Sequence, residues 1–225
     1  SFGIDSLGAM FVIVAGTTYG VGSGSTDLQT LDRWFHVAIV YDAPNDVAIF
    51  YLDGNVDKII AATATPAGNA SDFHLGSRTA ITGYWDGQIF DAAIWNSALT
   101  PLQIKSLALG VDLSSKSFRP SDLSTIPTAY WKMNEGVASG ARADSSGNGH
   151  NLADNNSDTK VSNGMCDAGV KLAGNASAWL DVADHDDFSF GNGDFSIGGW
   201  FKSDNIDNDG MMSKWQTPSV SQLEW

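Results

Sequence analysis

Short apolar segments of strand length, with hydrophobic residues on both faces, alternate along the chain with clusters of Gly, Asp, Asn, Ser and Pro. This is the pattern of strands buried between two sheets. His36-Val37-Ala38-Ile39-Val40-Tyr41 and Val47-Ala48-Ile49-Phe50-Tyr51-Leu52 flank the turn Asp42-Ala43-Pro44-Asn45-Asp46 and predict a hairpin. Asp53-Gly54 turns the chain again. Further strands are predicted at 10–14, 73–76, 88–95, 129–133, 170–172, 178–182, 195–202 and 211–215. One short helix is predicted where Thr100 caps, Pro101 occupies the first helical position, Ile104, Leu107 and Ala108 follow at helical spacing, and Gly110 closes it. Residues 111–127 are Ser-rich and aperiodic and read as a linker.

Composition agrees with a β-rich chain. Of 26 acidic residues 24 are Asp and only two, Glu135 and Glu224, are Glu, a balance that favours turns over helices. The hydrophobic content of 43% suffices for a core. At 225 residues the chain fits one large β-domain or two small ones. A net charge of −14 leaves few cations to neutralise phosphate, so no nucleic acid and no anionic membrane surface is expected as a partner. No apolar run reaches the roughly 18 residues of a membrane-spanning helix, so no membrane insertion is expected. Cys166 is alone, which excludes an intramolecular disulfide. The chain opens Ser1-Phe2 without an initiator Met or a signal-like segment and is expected to be a piece of something longer.

Several pieces together carry a resemblance. Arg33-Trp34-Phe35-His36-Val37-Ala38, Phe50-Tyr51-Leu52-Asp53-Gly54, Phe73-His74-Leu75-Gly76 and the run from Trp85 to Thr100 resemble the C-terminal half of a laminin-G-like, concanavalin-A-like jelly roll. Ala129 to Gly136, Asp144-Ser145-Ser146-Gly147-Asn148-Gly149-His150-Asn151, Gly169 to Leu172 and Asp194 to Lys202 resemble the N-terminal half of the same family. The resemblance implies an all-β, two-sheet antiparallel jelly-roll sandwich with one short helix and its halves in reversed order. Residues 1–110 would be the C-terminal half, 111–127 a linker, and 128–225 the N-terminal half. Three arrangements satisfy that order: a circular permutant closing on itself, one period of a tandem array cut inside a domain, or halves that complete neighbouring copies head to tail. The last two are favoured, because a half-sandwich exposes an edge and an apolar face that must be covered.

The candidate chemistry is mostly oxygen. Asp144-Ser145-Ser146-Gly147-Asn148-Gly149 sets hard oxygens among glycines, as a calcium loop does, and equally reads as an Asx-turn loop. Asn205-Ile206-Asp207-Asn208-Asp209-Gly210 opens like an EF-hand loop, but its twelfth position is Gln216, so it reads as an acidic hairpin turn. The resemblance implies a loop-bound calcium, for which Asp144, Asn148, Glu135, Asp91, Asp207 and Asp209 are the candidates. Where the family carries paired acids, this chain has Phe90 and Asp91, so one acid is absent. The group Asp181, Asp184, Asp186, Asp187 reads as a solvated strand-end loop, with His150 and His185 also in loops. Tyr84, Trp85 and Trp179 are the candidates for stacking on sugar rings. With two Glu in the chain, the paired-carboxylate motif of sandwich glycosidases cannot be written, and no nucleophile elbow or metalloprotease motif is present, so no enzyme is expected.

These features imply an extracellular or cell-surface structural and adhesive module, a repeat of a filament or large adhesin whose partners are neighbouring copies of itself. The alternative is a calcium-dependent carbohydrate-binding module that meets glycans or extracellular matrix.

Overall fold

The computed structural model describes residues 1–14, 17–20, 28, 31–64, 70–79, 82–110, 118–135, 140–155, 159–161, 168–174, 178–205 and 209–214. In chain order the strands begin with β1 (Phe2–Ile4), β2 (Met10–Val14), β3 (Thr17–Tyr19), β4 (Phe35–Asp42), β5 (Val47–Leu52) and β6 (Asn55–Ala61). Then come β7 (Phe73–Leu75), β8 (Ser77–Thr79), β9 (Thr82–Tyr84), β10 (Asp86–Trp95), helix α1 (Pro101–Leu109) and β11 (Ala129–Trp131). The chain continues through β12 (Ala153–Asn155), β13 (Thr159–Val161), β14 (Gly169–Ala173), β15 (Trp179–Val182), β16 (Phe195–Ser203) and β17 (Asp209–Lys214). They form a two-sheet antiparallel jelly-roll sandwich. One sheet runs β12-β15-β7-β17-β1-β2-β3, the other β13-β14-β10-β16-β4-β5-β6 with β11 added beside β10. The short hairpin β8-β9 stands apart from both.

Strands from the two ends of the sequence interleave in both sheets. β1 lies between β17 and β2, with Phe2 opposite Met212 on one side and Val12 on the other. β16 lies between β10 and β4. β4 shows why its sequence is continuously apolar. Val37, Ile39 and Tyr41 face the inter-sheet core, whereas Ala38 and Val40 face outward and are covered in their turn. What covers them is α1. The Thr100 hydroxyl caps Gln103 N, Pro101 starts the helix, and Gly110 ends it at φ +64°. Ile104 and Leu107 of α1 join Ala38, Val40, Tyr51, Ala93 and Trp95 in a second core on the outer face of the eight-stranded sheet.

The segment that reads as a linker is partly structural. Residues 111–117 lie outside the described residues, but 118–127 pack onto this outer core. Leu123 is buried, and the Thr125 carbonyl accepts from Trp95 Nε1 at 3.2 Å. In β10 a bulge between Phe90 and Ala93 changes the alternation, so that Ile89, Ala92 and Ile94 face the inner core. Asp91, the inserted residue, adopts φ +49° and turns to the outer face.

Candidate functional site

The loop between β11 and β12 is organised by Asp144. Its Oδ1 accepts from Tyr130 N at 3.0 Å and Ser146 N at 2.8 Å, and its Oδ2 from Ser146 Oγ at 2.7 Å and His150 N at 3.0 Å. Burial of this carboxyl alone would raise its pKa, but these four donors outweigh burial and hold it below the usual carboxylate range. A carboxylate has about four acceptor positions, and all four are taken by the protein. Asn148 donates from Nδ2 to the Thr128 carbonyl at 2.8 Å, and Glu135 Oε1 accepts from Ala143 N at 2.9 Å. Arg142, 2% exposed, lies near both Glu135 and Asp154, whose charges oppose the lowering of its pKa by burial.

The other oxygen candidates lie elsewhere. Asp91 sits under the α1 side of the eight-stranded sheet, where Arg119 Nη1 donates to Oδ1 at 3.0 Å and Oδ2 at 3.1 Å, and Tyr130 OH donates to Oδ1 at 2.5 Å. Burial raises the Asp91 carboxyl above its ordinary value despite these partners. Burial, with the Asp91 charge, likewise raises the Tyr130 phenol. Asp209, read as part of an acidic hairpin turn, is instead the first residue of β17, 4% exposed and opposite Ile4. Asp207 lies outside the described residues. A calcium ion needs six to eight oxygens around one point. Among the described residues the candidates are divided between one loop, the outer core and a buried strand, and Asp144 and Asp91 are already occupied. As a set, the described candidates do not surround one point.

Of the aromatic candidates, Trp85 is a correction. It is 1% exposed and meets Phe201 edge-on with ring centroids 5.5 Å apart, so it belongs to the inter-sheet core. Chain neighbours in extended backbone point to opposite faces, so Tyr84 and Trp85 could not both be outside. Tyr84 and Trp179 do come together, with centroids 5.9 Å apart and planes 31° from parallel, and the His74 ring stacks on Trp179 with centroids 6.4 Å apart. Both Tyr84 and Trp179 are half-buried. Trp179 Nε1 has no hydrogen-bond partner among the described residues. Burial lowers the pKa of His74, against the pull of Asp181 and Asp72.

His36 is 3% exposed and meets Trp200 edge-on at 5.4 Å, and burial lowers its pKa to about 3. Together with Asp91, Trp95 and Phe118 it lines a crevice under α1 with room for about one water molecule.

One constellation is not visible in the sequence. His150, at the end of the Asp144 loop, and His185 and Asp187, in the turn after β15, place their ligand atoms within 4.8 Å of one another. His150 Nε2 lies 2.8 Å from Asp187 Oδ2. The two parts are joined by the pairing of β12 with β15 and by the packing of Phe188 against Phe73 and His150. No spacing in the chain announces that meeting. The one local signal is a histidine set among the acids Asp184, Asp186 and Asp187.

No curated protein and no solved structure matches the chain. The match to a family model ends before the pieces at 129–215, and the reversed order of halves therefore lies outside it. Residues 1–105 match the laminin-G-type model described as "Concanavalin A-like lectin/glucanases superfamily", which supports that domain family for this part of the chain.

Proposed function

We propose that this chain is a non-catalytic adhesive module of an extracellular or cell-surface protein, a repeating unit that joins its neighbours through complementary half-domains. The observation that carries this reading is the interleaving of the two halves. β1 pairs with β17, β4 with β16, and β10 with β11, β14 and β16. A half without its complement would leave open strand edges and a bare apolar face, and the same strands on a neighbouring copy would satisfy both. Sedimentation velocity tests this on the full chain refolded from denaturant at increasing protein concentration. Exchange of halves should produce dimers and longer species. A single monomeric species at every concentration would remove assembly and leave a closed module.

A second reading, carbohydrate binding, is favoured by the half-buried aromatic pair Tyr84 and Trp179. Partly exposed aromatic faces suit a sugar ring, and added glycan that left the tryptophan fluorescence unchanged would count against it.

A further inference from the structure

We infer that His150, His185 and Asp187 form a binding site for a divalent transition-metal ion of the zinc class. Asp187 Oδ2 lies 2.8 Å from His150 Nε2 and 3.3 Å from His185 Nδ1. Around a tetrahedral zinc with bonds of about 2.0–2.1 Å, neighbouring ligand atoms stand roughly 3.3 Å apart, so the His150–Asp187 pair needs to open by about 0.5 Å, the His185–Asp187 pair already stands at that spacing, and all three donors lie within 4.8 Å of one another. Two imidazoles with one carboxylate form the mixed donor set that suits zinc, nickel or cobalt, whereas calcium requires oxygens.

His185 and Asp187 also meet within their own turn. Asp187 N donates to His185 Nδ1 at 3.2 Å, so an ion would take this lone pair from the backbone N–H or bind the ring at Nε2. The same Nδ1 faces a carboxylate oxygen, which is also an acceptor, at 3.3 Å.

The scaffold holds these groups before any ion arrives. His150 is 5% exposed. Its carbonyl accepts from Trp131 Nε1 at 2.7 Å, its N–H donates to Asp144, and its ring packs on Phe188 at 4.7 Å. The 3-10 turn Asp186–Phe188 is anchored by the fully buried Phe188. His185 and Asp187 keep 54% and 41% of their side-chain surface exposed, which opens a path for the ion and a fourth coordination position for water or an outside donor. Asp184 and Asp186 add negative potential, and Lys214 offsets one of them through its bond to Asp184 at 2.7 Å.

Isothermal titration of the metal-stripped full chain with zinc chloride tests the assignment, together with thermal melts. One zinc per chain is expected, with the melting temperature rising by about 5 °C or more at hundredfold excess over Kd. His185→Ala and Asp187→Asn change exposed groups, and their melts without zinc report that they fold. Each should weaken zinc binding by at least about 100-fold. Absence of stoichiometric zinc binding would overturn the inference. So would unchanged affinity in the two variants, or a calcium response equal to that of zinc.

Discussion

The centre of the eight-stranded sheet is buried on both faces, and the two cores it serves are built differently. Between the sheets the contacts are apolar, with Phe195 stacked on Tyr41 and Phe190, and Trp131 on Phe73. On the outer face a smaller apolar cluster under α1 adjoins an ion pair, Asp91 with Arg119, which Tyr130 joins by a hydrogen bond. The inner core supplies cohesion that does not depend on direction. The outer core must also hold residues 118–127 in one register against the sheet, and directional bonds do that where a few apolar contacts would let the segment slide. Burial of Asp91 makes this specificity costly.

Substitution separates the two. Phe195→Ala should cost about 4 kcal/mol in denaturant unfolding, with little dependence on pH. Arg119→Met should cost about 3 kcal/mol, because it leaves a buried carboxylate without its cation. The Asp91 carboxyl is already raised, so its ionised form opposes folding. The Arg119→Met deficit should therefore be largest at neutral pH and shrink as acid protonates Asp91. Adding Asp91→Asn, which tolerates the positive φ, should recover most of the loss; no recovery in the double variant would show that Arg119 acts through packing alone.

The smallest expected effect sharpens the contrast between carboxylates. Asp144 is lowered where Asp91 is raised. Its stabilisation is complete above the ordinary aspartate value of 3.8 and is lost as pH falls through its depressed folded value. Asp144→Asn should cost about 2 kcal/mol at pH 7, since an amide nitrogen would face donors, and the gap to the parent protein should begin to narrow only below about pH 4, closing as the pH falls through the depressed folded value. A gap that stayed constant into acid would mean that the loop does not depend on the charge.

Wherever local chemistry decides the outcome, the chain is readable. The hairpin of β4 and β5 follows from two apolar runs around Asp42-Ala43-Pro44-Asn45-Asp46, and α1 follows from Thr100, Pro101 and Gly110. Trp85 shows where this ends: its neighbour Tyr84 lies half-exposed while it is core, and only the sheet packing decides which of the two is inside. Residues 118–127 look like linker because their partners, Trp95 and Gln103, are supplied by distant elements. His150 and His185 meet by the same kind of long-range packing, which a periodicity in one segment does not record.

The position of β16 between β4 and β10 has a consequence for synthesis on the ribosome. β10 ends at Trp95 and β16 begins at Phe195, so roughly 100 residues must be added before the central pairing partner exists. At about 5–20 residues per second this is a wait of roughly 5–20 s. Throughout it the edges of β4 and β10 that β16 will occupy have no partner within the sheet. Nascent chains crowded on one messenger would offer one another the missing strands, so the completion of each sandwich depends on how far apart its neighbours are kept while it is made.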